Sequence, residues 1–74
     1  MNESCEILVF RTSVSKKSDI KQIGRAFREY PQINRWTVDF EDWEKVLRIE
    51  CREISADRII TLLRGVNIYA QELV

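Results

Sequence analysis

The chain has no histidine, which removes imidazole as metal ligand, general base and proton shuttle. Its two glycines, Gly24 and Gly65, lie in or after the expected helices, and the loop leading into the first helix has none. A backbone cradle closing around a phosphate in the manner of a P-loop is therefore excluded. Net charge is also missing: twelve basic and twelve acidic side chains cancel. Without an overall positive field no nucleic-acid partner is expected. The longest apolar run, Ile7-Leu8-Val9-Phe10, falls far short of the ~20 residues that span a bilayer, so no membrane partner is expected either. The first residues, Met1 to Glu6, carry acids where a secretory leader carries Lys or Arg. The expected location is the cytoplasm, where the two cysteines, Cys5 and Cys51, would stay reduced.

What remains is a globular composition. Apolar residues make up 45% and charged ones 32%, enough hydrophobicity to drive folding without the charge imbalance of a disordered chain. A length of 74 residues allows one domain, spanning 1–74, with one core.

Hydrophobic periodicity orders the elements. Cys5 to Arg11 is short, β-branched and aromatic, and reads as a first strand. The polar stretch from Thr12 to Ser18 reads as a loop, with Ser18 as N-cap of a helix running to Tyr30 and stopped by Pro31. Ile20, Ile23, Phe27 and Tyr30 give that helix one apolar face, opposite Lys17, Lys21, Arg25 and Arg28. Trp36, Val38 and Phe40 then alternate with polar residues, as do Leu47, Ile49 and Cys51, which predicts a hairpin closed around Asp42-Trp43-Glu44. Ser55 caps a second helix carrying Ile59, Ile60, Leu62 and Leu63, Gly65 ends it, and Ile68 to Leu73 is left for a closing strand.

The order strand, helix, strand, strand, helix, strand has a well-defined solution. Two right-handed crossovers sharing one sheet give an α+β, ferredoxin-like βαββαβ sandwich, with antiparallel sheet order 4-1-3-2 and both helices on one face. The other sheet face stays open.

Over roughly residues 6 to 73 the chain resembles heavy-metal-associated domains of the copper-chaperone type. The resemblance rests on Arg11-Thr12-Ser13, the helix that follows, Trp36-Thr37-Val38-Asp39-Phe40, Lys45-Val46-Leu47-Arg48-Ile49-Glu50, and Ser55 opening a helix rich in Ile and Leu. In that family a Met-Thr-Cys-x-x-Cys loop clamps Cu(I) between two thiolates. The matching stretch here is Arg11-Thr12-Ser13-Val14-Ser15-Lys16: Thr12 survives, and Ser13 and Lys16 stand at the two cysteine positions. A hydroxyl is a hard ligand and an ammonium is none, whereas Cu(I) takes soft sulfur. The resemblance thus implies a metal-carrier fold with a degenerate metal loop and no cofactor.

The two cysteines present lie elsewhere. Pairing Val9 with Leu47 across the first and third strands puts Cys5 opposite Cys51, both facing inward as small buried hydrophobes. The alternative is a non-standard heavy-metal site built from that pair. Arg11, Lys16 and Lys17 near a helix start suit an anion in principle, and the missing glycine argues for a solvated basic patch instead. Asp39, Glu41, Asp42 and Glu44 cluster at the hairpin without a base or nucleophile among them, so no enzyme activity is expected. RNA-recognition modules share this topology, yet the third strand offers Val46, Arg48 and Glu50 in place of base-stacking aromatics.

Alternation along the first strand, with Ile7 and Val9 facing the helices, places Leu8 and Phe10 on the open face beside Val46 and Arg48. Those four form the expected interaction surface, for a second copy of the chain or for another protein. Charge is segregated as well: residues 11 to 35 hold seven basic and two acidic side chains, residues 39 to 57 three basic and seven acidic. Such a dipole can orient head-to-tail association.

Overall fold

The computed structural model describes residues 6–73. Its elements run β1 (Glu6–Thr12), α1 (Lys17–Phe27), β2 (Ile33–Asp39), β3 (Val46–Cys51), α2 (Ala56–Arg64) and β4 (Ala70–Glu72). All strand pairings are antiparallel, and the sheet order β2-β3-β1-β4 is the expected ferredoxin-like arrangement.

One side of the sheet carries the core. Phe10, Leu47, Ile49 and Cys51 from β1 and β3 meet Ile23 and Phe27 of α1 and Ile59 and Leu63 of α2, all buried. Trp36 and Val38 of β2 extend this layer, and the Phe27 ring stands edge-on to Trp36 with centroids 5.7 Å apart. The α1 residue Gly24 lies against the same indole, so α1 covers the β2 side while α2 packs beside β4. The hairpin strands follow their alternation as expected, with Leu47, Ile49 and Cys51 buried.

The β1 facing differs from the sequence expectation. Phe10, and not Val9, stands opposite Leu47, and Leu8 stands opposite Ile49. This one-residue shift inverts the strand: Phe10 is fully buried and Leu8 packs on the core, whereas Ile7 is 59% exposed. The reason lies in Arg11. A run of four apolar residues carries no parity of its own, but Arg11 shares the face of Ile7 and Val9, and a guanidinium belongs in water. Turning Arg11 outward turns Phe10 inward, where the largest side chain of the run fills the space between the helices.

The helix ends show two further departures. α1 begins at Lys17 with Lys16 in the extended N-cap position, because Asp19, not Ser18, reaches back to the start of the helix. It ends at Phe27, ahead of Pro31, with the Arg28 N–H still bonded to the Gly24 carbonyl. α2 behaves as expected at its start, where the Ser55 hydroxyl accepts from the Arg58 N–H at 3.1 Å. At its end Gly65 keeps a right-handed φ of −63°, and the left-handed turn falls on Asn67, whose φ is 65°. β4 is shorter than the expected Ile68 to Leu73 because Ile68 is consumed as a core plug and Tyr69 bonds back to the β1–α1 loop.

Candidate functional site

Three loops gather at one end of the sheet: Ser13–Lys16 between β1 and α1, the β2–β3 hairpin, and the turn from α2 into β4. The first of these is the position of the metal loop in the resembling family. Here its groups are taken up by the protein itself. The Thr12 hydroxyl donates to the Lys45 carbonyl at 2.7 Å, which ties the end of β1 to the hairpin. The Ser13 N–H donates to the Tyr69 carbonyl at 3.0 Å, and the Ser13 hydroxyl accepts from the Tyr69 N–H at 2.9 Å. Val14, inside a stretch that reads as polar, is 2% exposed and closes the end of the core.

The start of α1 is likewise occupied from within. The Asp19 carboxylate accepts from the Ser15 N–H at 2.9 Å, the Ser15 hydroxyl at 3.4 Å and the Lys16 N–H at 3.3 Å. The Ser15 backbone bond is the main cause holding the Asp19 carboxyl below its usual value, with the Lys16 N–H and ammonium adding to it. N–H groups that could have met an external anion already meet this one. Arg11, expected beside Lys16 and Lys17, lies instead on the open sheet face, where its guanidinium pairs with Glu44 at 2.8 Å.

The same one-residue shift changes which β1 residue Cys51 faces. Cys51 stands opposite Glu6 in the β1–β3 ladder and is fully buried. Cys5 lies outside the described residues. Among the described residues no group of three or more Cys, Asp or Glu side chains converges in a way that could hold a metal ion.

The open sheet face is real, but its membership is corrected. Val46 and Arg48 are on it as expected; Leu8 and Phe10 are not, being packed into or against the core. Their places are taken by Ile7 and Val9, which the ladder sets opposite Glu50 and Arg48. On β2 the same rows continue through Arg35 and Thr37. Beyond β1, the Leu73 N–H bonds the Val9 carbonyl at 2.8 Å, which adds Leu73 to the apolar centre with 36% exposure. No helix among the described residues is long and apolar enough to cross a membrane.

No family model matches the sequence, and no curated protein does. Solved structures match over nearly the full chain. The apo form of the HMA domain of the copper chaperone for superoxide dismutase superposes with a TM-score of 0.80 at 13% identity, covering 96% of this chain and 69% of its own. This chain has the heavy-metal-associated fold. The N-terminal domain of PacS from Synechocystis PCC6803 has a TM-score of 0.78 at 11% identity, covering 93% of this chain and 98% of its own. The N-terminal domain of ZntA in the Zn(II) form has a TM-score of 0.73 at 12% identity, with 89% of each chain covered. At such identities the heavy-metal-associated fold is what is shared, and function has to be argued from this chain's own residues.

Proposed function

We propose that this chain is a non-enzymatic protein-interaction module on the heavy-metal-associated fold, in which the β1–α1 loop is a structural clasp and the open sheet face is the contact surface. The observation that carries this reading is the pair of hydrogen bonds between Ser13 and Tyr69, at 3.0 and 2.9 Å, with Val14 buried beside them. A metal carrier needs soft donors facing outward on that loop. Here the two matching positions offer a hydroxyl already engaged with a backbone N–H and an ammonium whose charge repels a cation.

The contact surface follows from the sheet's second face. Ile7 and Val9 of β1, with Leu73 beside Val9, make an apolar strip flanked on β3 by Glu50 and Arg48, with Val46 at the end of that row and Arg35 and Asp39 on β2 beyond it, a mixed apolar and charged face suited to contact with another protein. The competing reading, heavy-metal binding through non-standard ligands such as Cys5 and Cys51, needs a Cys51 thiol that a cargo ion can reach, and that thiol is buried to 0% exposure. Competition for Cu(I) against a chelator under reducing conditions tests the reading. We expect no stoichiometric uptake; one equivalent held with sub-micromolar affinity would overturn it.

A further inference from the structure

Trp43 is 81% exposed, more than any other large hydrophobic side chain among the described residues. It is not on a loose tip. The Asp39 carboxylate accepts from the Glu41 N–H at 3.1 Å and the Asp42 carboxylate from the Glu44 N–H at 2.8 Å, while the Lys45 N–H donates to the Asp42 carbonyl at 2.9 Å. The base of the hairpin is anchored a second time to β1, through Thr12 to the Glu44 and Lys45 carbonyls at 3.2 and 2.7 Å and through the Arg11–Glu44 ion pair. An indole presented on a loop bonded at this many points loses little freedom on docking, which is what makes an aromatic anchor effective.

The surroundings of Trp43 are acidic. Asp39, Glu41 and Asp42 lie on the same hairpin, with Glu44 offset by Arg11 and Lys45 the one cation of the loop, which leaves the hairpin net negative. On the far side of the charge balance, Lys17, Lys21, Arg25 and Arg28 are all exposed and recur at steps of four, four and three along α1. They form one stripe about 16 Å long at the helical rise per residue, and none of them has an ion-pair partner among the described residues. Two patches of opposite net charge on one small domain complement each other between copies. Cations flanking a tryptophan ring add their attraction to its face, and tryptophan is the best ring for it.

We propose that Trp43 and its acidic hairpin dock on the basic stripe of α1 of a second copy of this chain. The contact is independent of the open sheet face. Made twice about a twofold axis, hairpin on helix and helix on hairpin, it closes a dimer.

Sedimentation velocity across a wide concentration range tests it, on the wild type, on Trp43→Ala, on Lys21→Glu/Arg25→Glu and on Glu41→Lys. All substituted side chains are at the surface, and circular dichroism checks that the fold persists. The wild type is expected to associate reversibly and to weaken at least tenfold between about 0.05 and 0.5 M salt, as screening shortens the reach of the charges. Trp43→Ala and each charge reversal alone should be monomeric at concentrations where the wild type associates, and an equimolar mixture of the two reversals should recover association. A wild type that stays monomeric throughout overturns the proposal. So does association that survives Trp43→Ala and is lost in Ile7→Asp, which would place the self-contact on the open sheet face and leave the reading of that face standing.

Discussion

Phe10 stands opposite Leu47 across the β1–β3 ladder with both side chains fully buried, while three residues back Ile7 stands opposite Glu50 and is 59% exposed. The facing of β1 thus divides one apolar run between core and surface. Phe10→Ala should cost about 3–5 kcal/mol by opening a cavity, a large share of the ~5 kcal/mol expected for a domain this small. Ile7→Asp should move stability by under about 1 kcal/mol, since its side chain is largely in water already. Urea denaturation of the two variants checks the ladder. Equal losses, or a larger loss for Ile7→Asp, would mean the strand faces the other way.

The Asp19 carboxyl, held low chiefly by the Ser15 backbone bond, gives a pH dependence of known sign. A carboxylate whose folded pKa lies below its unfolded value stabilises the fold above that unfolded value of about 3.8, and the contribution disappears as pH falls through the lower, folded pKa. In an NMR titration the Asp19 side-chain carbon should therefore show a midpoint below 3.8. Asp19→Ala should lose less stability than the wild type over that same acid window. A midpoint at or above the ordinary value would mean the bonds from Ser15 and Lys16 do not persist in solution.

Cys51 should behave as a core residue. With its thiol at 0% exposure, reaction with a soluble thiol reagent requires the sheet to open, so its labelling rate should track the unfolding equilibrium and rise with urea. Mass spectrometry of labelled peptides reads Cys51 separately from Cys5. Rapid labelling of Cys51 in the folded protein would contradict its placement.

The second helix offers a local check on the fold. Ser55→Ala removes the acceptor for the Arg58 N–H and should cost about 1 kcal/mol, read as a shift of the urea midpoint with unchanged slope.

Much of this architecture was legible in the sequence because it is written in periodicity. The alternation of Trp36, Val38 and Phe40 and of Leu47, Ile49 and Cys51 fixes the hairpin faces, and Ser55 marks the start of α2. The facing of β1 does not follow from periodicity because Ile7-Leu8-Val9-Phe10 does not alternate; the informative residue is the next one, Arg11, whose charge has to point to solvent. The clasp at Ser13 was out of reach for a different reason. Its partner Tyr69 is 56 residues away, and a bond between a side-chain hydroxyl and a distant backbone N–H leaves no local pattern. Val14 was concealed by polar neighbours, and the exposure of Trp43 could not be inferred from residue type, since tryptophan usually marks a core.

This chain has the heavy-metal-associated fold, and its proposed function turns on what the β1–α1 loop presents. Cu(I) competition on the wild type beside Ser13→Cys/Lys16→Cys tests it most directly, because both proteins share one fold and differ in two donors. The double variant is expected to take up one equivalent of Cu(I) from the competing chelator while the wild type takes up none. Equal stoichiometric uptake by the two would contradict it, since the wild type would then be holding metal with ligands other than that loop.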